Sequence, residues 1–246
     1  MISEEVVETA TLKQIRFEVP LYTVTEAATA LGVPTSTFAT WVKGYERHPK
    51  DRATVSGRPI VTSFTTSPRY PSVPFVGLAE GMVLAAIRKV GVPMQRIRPA
   101  LVELSKEIGI QHALASRSLY TDGAELLYDY AKRNPKIDDD SIQDLVLVRR
   151  QQRVFVPVVA EYLRRIEYGR DGYASLIRLP GYDRANVVAD PRRAFGQPIF
   201  SQGATKVRDV LERFWAGDDL ATVAAEFGIP ATEIEDVLRA TSRQAA

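Results

Sequence analysis

Between Tyr22 and Tyr45 the chain reads YTVTEAATALGVPTSTFATWVKGY, and this stretch admits few folds. Thr23 with Glu26 three residues on is the pattern of a capping box: the threonine takes a first-turn N–H and the glutamate reaches back to the cap. Ala27, Ala28 and Leu31 then recur at helical spacing and give one apolar face. Gly32 ends that helix, because a left-handed residue is cheapest as glycine, and Val33 fills the corner. A second helix starts near Pro34 or Thr35, since proline is tolerated in a first turn. Phe38, Trp41 and Val42 form its buried side, which leaves Thr35, Ser36, Thr37, Thr40 and Lys43 on the other. Two short helices joined this way form a helix-turn-helix, which offers the second helix to a DNA groove. The competing reading is a helical pair used only for packing or dimerisation.

This block resembles the helix-turn-helix of MerR-type regulators, in which a "YT..EAA..LGV..TL..W.." pattern recurs. It departs from them at Ser36 and Ala39, where arginine is common on the exposed face.

The charge pattern fits a polyanion at the front. From Ser36 to Ala100 ten Lys or Arg stand against three Asp or Glu, a balance of +7, although the whole chain carries only +2. From Ser201 to the end five stand against eight, a balance of −3. The front is therefore expected to face nucleic acid and the back is not. Residues 46–75 contain VSGRPIVTSF, which reads as a small hairpin turning at Ser56-Gly57, the position of a wing. Arg47, Lys50, Arg52 and Arg58 on and around it, with Arg69 and Tyr70 in the following loop, are placed to meet phosphates. For each alone, a solvated loop residue is the competing reading.

Residues 1–15 read as a loose leader, and Arg16 to Leu21 as a strand that Pro20 confines to an edge. Val76 to Arg88 and Pro93 to Gly109 read as helices completing the core of the front domain, with Arg96, Arg98 and Lys106 as a solvated face. Beyond Gln111, Asp122-Gly123 and Asp171-Gly172 read as hairpin turns. LVLVRRQQRVFVPVVAEYLRRI passes from strand to helix. Asp138, Asp139 and Asp140 lack a following ligand pattern and read as a cap or solvated loop rather than a metal site. The tail resolves into three helices: about Thr205 to Trp215; LATVAAEF, capped by Asp218 or Asp219; and a last one after Ile229-Pro230. Its Glu233, Glu235 and Asp236 read as an exposed acidic face that repels phosphate and packs on protein.

These patterns predict a mostly helical α+β protein in three segments: a winged helix-turn-helix over 16–110, a small mixed region over 111–185, and a trihelical domain over 186–246. There is no cysteine, and His48 and His112 are the two histidines. No Gly-rich phosphate loop, H-E-x-x-H or nucleophile elbow occurs. No enzyme activity, cofactor or metal is therefore expected. No apolar run approaches the length of about 20 residues that crosses a bilayer, and MISEEVVETA lacks the basic and apolar regions of a signal peptide. A cytoplasmic protein without membrane contact is expected.

The tail order DP…GQPIF…V.DVL..F.AGD.L..VA.EFGI…EIE.VL is similar to a small domain of unknown function found in antitoxins encoded beside PIN-domain toxins. Together with the front block and LYTDGAELLYDY, it makes nearly the whole chain resemble a VapB-type antitoxin of the larger, two-domain kind. The resemblance implies binding to a PIN-domain ribonuclease and repression of the protein's own operon, as a homodimer on operator double-stranded DNA. An arginine placed among metal-binding carboxylates would block such a nuclease. The candidates are Arg149, Arg150 and Arg153, Arg192 and Arg193, or Arg239 and Arg243. The alternative is a stand-alone transcriptional regulator whose C-terminal half senses a ligand or sets the oligomer.

Overall fold

In a computed structural model, the structure describes residues 4–48, 54–67, 69–91, 94–121, 123–124, 146–149 and 152–245. The Asp138–Asp140 run, Lys50, Arg52 and Arg150 lie outside the described residues. The fold is the expected mostly helical α+β type. It divides into two units that are not continuous in sequence. One comprises Met1–Phe38, Ser63–Phe75 and Ser175–Ala246; the other comprises Ala39–Thr62 and Val76–Ala174.

In the first unit, Glu4–Phe17 forms helix α1, not a loose leader. Arg16 in its last turn suits the negative end of the helix dipole. The strand expected over Arg16 to Leu21 is absent, since α1 runs into it. The extended pairing falls one residue later, as a bridge between Tyr22 and Val73, with Leu21 and Tyr22 N–H both bonded to the Val73 carbonyl. Helix α2 (Val24–Leu31) carries the predicted capping box: Thr23 Oγ1 accepts the Glu26 N–H at 3.1 Å and Glu26 Oε2 accepts the Thr23 N–H at 2.8 Å. Gly32 ends it at φ 65°, and helix α3 follows over Thr35–Lys43.

The rest of this unit fixes the end of α2. The Gly181 N–H bonds the Ala30 carbonyl at 3.1 Å. A Cβ on Gly181 would stand 2.2 Å from the Thr29 carbonyl oxygen, so only glycine lets the two backbones come this close. Strands β6 (Ala174–Arg178), β7 (Val187–Ala189) and β8 (Ile199–Phe200) form an antiparallel ladder. Its buried core residues include Ile177, Val187, Ala189, Ile199 and Phe200. The predicted trihelical tail is α8 (Val207–Trp215), α9 (Leu220–Phe227) and α10 (Ala231–Ala245). Asp219, not Asp218, caps α9, accepting the Thr222 N–H at 3.0 Å.

The acidic face expected on α10 is corrected by the structure. Asp236 is 3% exposed, and its Oδ2 accepts the N–H groups of Arg184 at 2.8 Å and Ala185 at 2.9 Å. Glu233 accepts the Asn186 N–H at 3.1 Å, and Glu235 pairs with Arg239 at 3.0 Å. Two of the three acids are thus consumed in capping the 184–186 turn, because buried backbone donors need acceptors. α10 also packs on α2.

In the second unit, helix α4 (Phe75–Val90) is buried along Val76–Ile87, Glu80 included. Helix α5 (Met94–Ile108) buries Leu101 and Leu104. Arg98, expected in a solvated face, is 8% exposed. The wing exists but turns earlier than expected: β1 (Tyr45–Arg47) pairs with β2 (Val55–Gly57), so Ser56 and Gly57 are strand residues opposite Glu46 and Tyr45.

Of the hairpin expected at Asp122-Gly123, residue 122 lies outside the described residues, and 117–121 and 123–124 are helical (α6). Ser116 Oγ receives the Leu119 N–H at 3.4 Å, starting the helix, and Leu119 and Ala124 are buried. Gly123 sits where a Cβ would stand 2.9 Å from the Leu119 side chain. Packing thus overrides the turn preference of Asp-Gly. Strands β3 (Val146–Arg149) and β4 (Gln152–Phe155) form a hairpin, and helix α7 (Pro157–Arg164) follows, the expected passage from strand to helix. After β5 (Ile166–Tyr168) the predicted Asp171-Gly172 turn is present: Gly172 has φ 80° and the Gly169 N–H bonds the Tyr173 carbonyl at 2.8 Å.

Candidate nucleic-acid interface

Helix α3 separates its faces as its sequence requires. Phe38, Trp41 and Val42 are buried. On the opposite side Ser36 and Lys43 are exposed, and Thr35, Thr37 and Thr40 are half-buried. This face offers hydroxyls that donate and accept, and one cation, at spacings of three and four.

The wing is tied to the C-terminal half of this helix within the second unit. The Trp41 carbonyl accepts the N–H groups of Ile60 at 2.9 Å and Val61 at 3.2 Å. Gly44, at φ 73°, makes the turn from α3 into β1, and a Cβ there would stand 2.3 Å from the Gly57 carbonyl oxygen. Thr40, Lys43, Arg47 and Arg58 are therefore carried by one connected helix-and-hairpin element. The Arg58 side chain is exposed, and Arg47 is the last residue of β1. Arg69 (φ 80°) and Tyr70 (68% exposed) lie in the Ser63–Phe75 segment of the first unit.

Two buried polar groups that the sequence reading missed hold the wing in place. The Arg98 guanidinium lies 5.5 Å from the Tyr45 ring centroid and donates to the Arg58 carbonyl. It thus touches both sides of the hairpin at once. Burial pulls its pKa below the ordinary arginine value, opposed by Tyr45, and its Nε is buried without a hydrogen-bond partner. An arginine remains charged under such a shift, so the contact is a charged one.

The second group is Glu80, 5% exposed on α4. It accepts the Thr62 N–H at 2.6 Å and the Thr62 hydroxyl at 3.0 Å, and stands 3.2 Å from His112 Nδ1. A buried carboxylate needs such partners. They fasten the strand leaving the wing to α4. The signal was present in the sequence: Glu80 is the lone charge inside the apolar run VGLAEGMVLAAI. Among the described residues no group of three or more His, Cys, Asp or Glu side chains is arranged to hold a metal.

The arginines suggested for toxin contact are dispersed. Arg149 ends β3 opposite Gln152, and Arg153 on β4 stands opposite Val148. Arg192 grips buried Asp190 through Nε and Nη2, both at 2.9 Å, and Arg193 is half-buried in the same loop. On α10, Arg239 is paired with Glu235, and Arg243 reaches Asp183 at 3.3 Å.

The geometry defines a helix-turn-helix protein of the DNA-binding class, and residues 20–101 match the family described as "Putative DNA-binding HTH domain". The Mycobacterium tuberculosis protein named "Putative antitoxin VapB45" is 46% identical over 230 residues, 92% of this chain and 96% of that protein. The chain belongs to the family of that antitoxin. "Uncharacterized protein Rv2308" of the same organism is 27% identical, covering 91% of this chain and 90% of its own length. The crystal structure of Rv2018 from Mycobacterium tuberculosis superposes with a TM-score of 0.76 at 43% identity, covering 91% of this chain and 99% of that one. Among the described residues no helix is long and apolar enough to cross a membrane.

Proposed function

We propose that this protein is the antitoxin of a type II toxin–antitoxin pair, neutralising a PIN-domain ribonuclease by direct binding and repressing its own operon. The observation that carries this reading is the 46% identity along nearly the full length of both chains to a protein named as an antitoxin of the VapB series. The face of α3 and its wing support the DNA-binding half. Thr35, Ser36, Thr37 and Thr40 are the base-edge and backbone contacts; Lys43, Arg47, Arg52, Arg58 and Arg69, with Tyr70, are the phosphate contacts. Phosphate contacts give affinity without sequence information, and specificity falls to the hydroxyls. One small module buries too little surface for tight specific binding, so a homodimer on a two-fold operator is the working form.

Toxin contact falls to the arginines on the strand pair, the Arg192–Arg193 loop or α10. Among these, Arg192 is committed to Asp190. The test is affinity purification of the tagged full chain from its native host, with gel-shift assays on the DNA upstream of its gene. Recovery of a PIN-domain ribonuclease and a saturable shift are expected. Absence of the nuclease removes the antitoxin reading, and absence of the shift removes operon repression. A second reading, a regulator whose C-terminal half senses a ligand, is favoured by one specific feature: a groove beside α2.

A further inference from the structure

A groove of about 330 Å3 opens in the first unit between α2, α8 and the chain around Tyr182 and Pro198. Sites of this size take one small organic molecule. Its walls are largely apolar, with Leu21, Pro198, Val207 and Leu211 among them. Three aromatic rings also line it. Tyr22 is buried and spends its hydroxyl on the Gly196 carbonyl. Tyr182 is 7% exposed. Trp215, 61% exposed, presents a large aromatic side chain at the same groove.

The charges there are unequal. Glu26 and Glu212 both line the groove against a single cation, Arg208, which bonds Glu212 at 2.6 Å. Glu26 and Asp209 also act on Arg208. A second anion entering the groove would meet this excess of carboxylates; a cation would relieve it and gain the face of Trp215.

We propose that this groove is a binding site for a small organic cation: an amine with a flat, apolar body that enters between α2 and α8. Its charged head lies at the Glu26–Glu212 edge beside Trp215, and its body lies along Leu21, Val207 and Leu211. The site would make the tail a ligand-reading element seated on the first helix of the DNA-binding pair. It does not depend on toxin pairing, so loss of the nuclease in a purification leaves it standing.

The test uses the full chain and three probes of one shape: 4-phenylbutylamine, 4-phenylbutanol and 4-phenylbutyrate. The chain has two tryptophans, and Trp41 is 1% exposed, so fluorescence quenching reports on Trp215, with calorimetry as the second measurement. The amine should bind in the millimolar range expected for so few atoms, with the carboxylate at least about tenfold weaker, a difference of about 1.4 kcal/mol. Glu212→Gln and Trp215→Ala should each weaken the amine about threefold, the scale of a single exposed charge or cation–π contact. Glu212 and Trp215 are both exposed, so neither variant endangers the fold, and calorimetry reads the Trp215 variant. Equal binding of all three probes, no saturable binding of the amine, or an affinity indifferent to both variants would overturn the proposal.

Discussion

Asp236 offers the sharpest test of how the tail is built. Its single Oδ2 accepts two backbone N–H groups, from Arg184 at 2.8 Å and Ala185 at 2.9 Å, at a side chain 3% exposed. Asp236→Ala leaves both donors without an acceptor. An unsatisfied buried donor costs about 1–3 kcal/mol. The Ala185 N–H is buried and the Arg184 N–H only partly so, where water can substitute; the expected loss is therefore about 2–4 kcal/mol. Asp236→Asn is the control. Its amide oxygen can take the place of Oδ2 and keep both bonds, losing only the charge assistance, for about 1–2 kcal/mol. Because the chain forms two units, one global melting curve is not a sufficient assay. Urea unfolding should be combined with native-state hydrogen exchange at the Arg184 and Ala185 amides, which should lose protection in the alanine variant. An alanine variant within about 0.5 kcal/mol of wild type, or an asparagine variant costing as much as alanine, would refute the reasoning.

Three further outcomes are expected. Lys43→Ala with Arg58→Ala should weaken DNA binding at every sequence and lower the slope of log K against log salt by about 1.8, if each cation neutralises one phosphate; an unchanged slope in a salt titration would show that these residues do not meet the backbone. Trp41→Ala, at a side chain 1% exposed, should destabilise by about 3–5 kcal/mol in denaturant titrations. Gly181→Ala must push apart the Thr29 carbonyl and its neighbour, 2.2 Å from the new carbon; a loss of about 1–3 kcal/mol is expected, and a calorimetric midpoint equal to wild type would show that the approach is looser than described.

The parts of this protein legible in its sequence are those whose causes lie within a few residues of one another. Thr23 and Glu26 form their capping box, Gly32 ends α2, and α3 shows its apolar and hydroxyl faces where the spacing put them. Asp219 and Gly228 bound α9 in the same local way. These features depend on hydrogen bonds and contacts three or four residues apart, which any copy of the stretch would make.

What only the tertiary structure decided involves partners far along the chain. Arg98 reads as a surface cation until Arg58, 40 residues away, supplies a carbonyl and Tyr45 a ring. Asp236 reads as one of three exposed acids until a turn 51 and 52 residues upstream presents its N–H groups. Asp122-Gly123 carries a strong local turn preference, yet with Leu119 and Ala124 buried, residues 117–121 and 123–124 are helical. The tail was legible as three helices, but its seating on α2 was not, because helical periodicity says which face is apolar and nothing about which surface covers it.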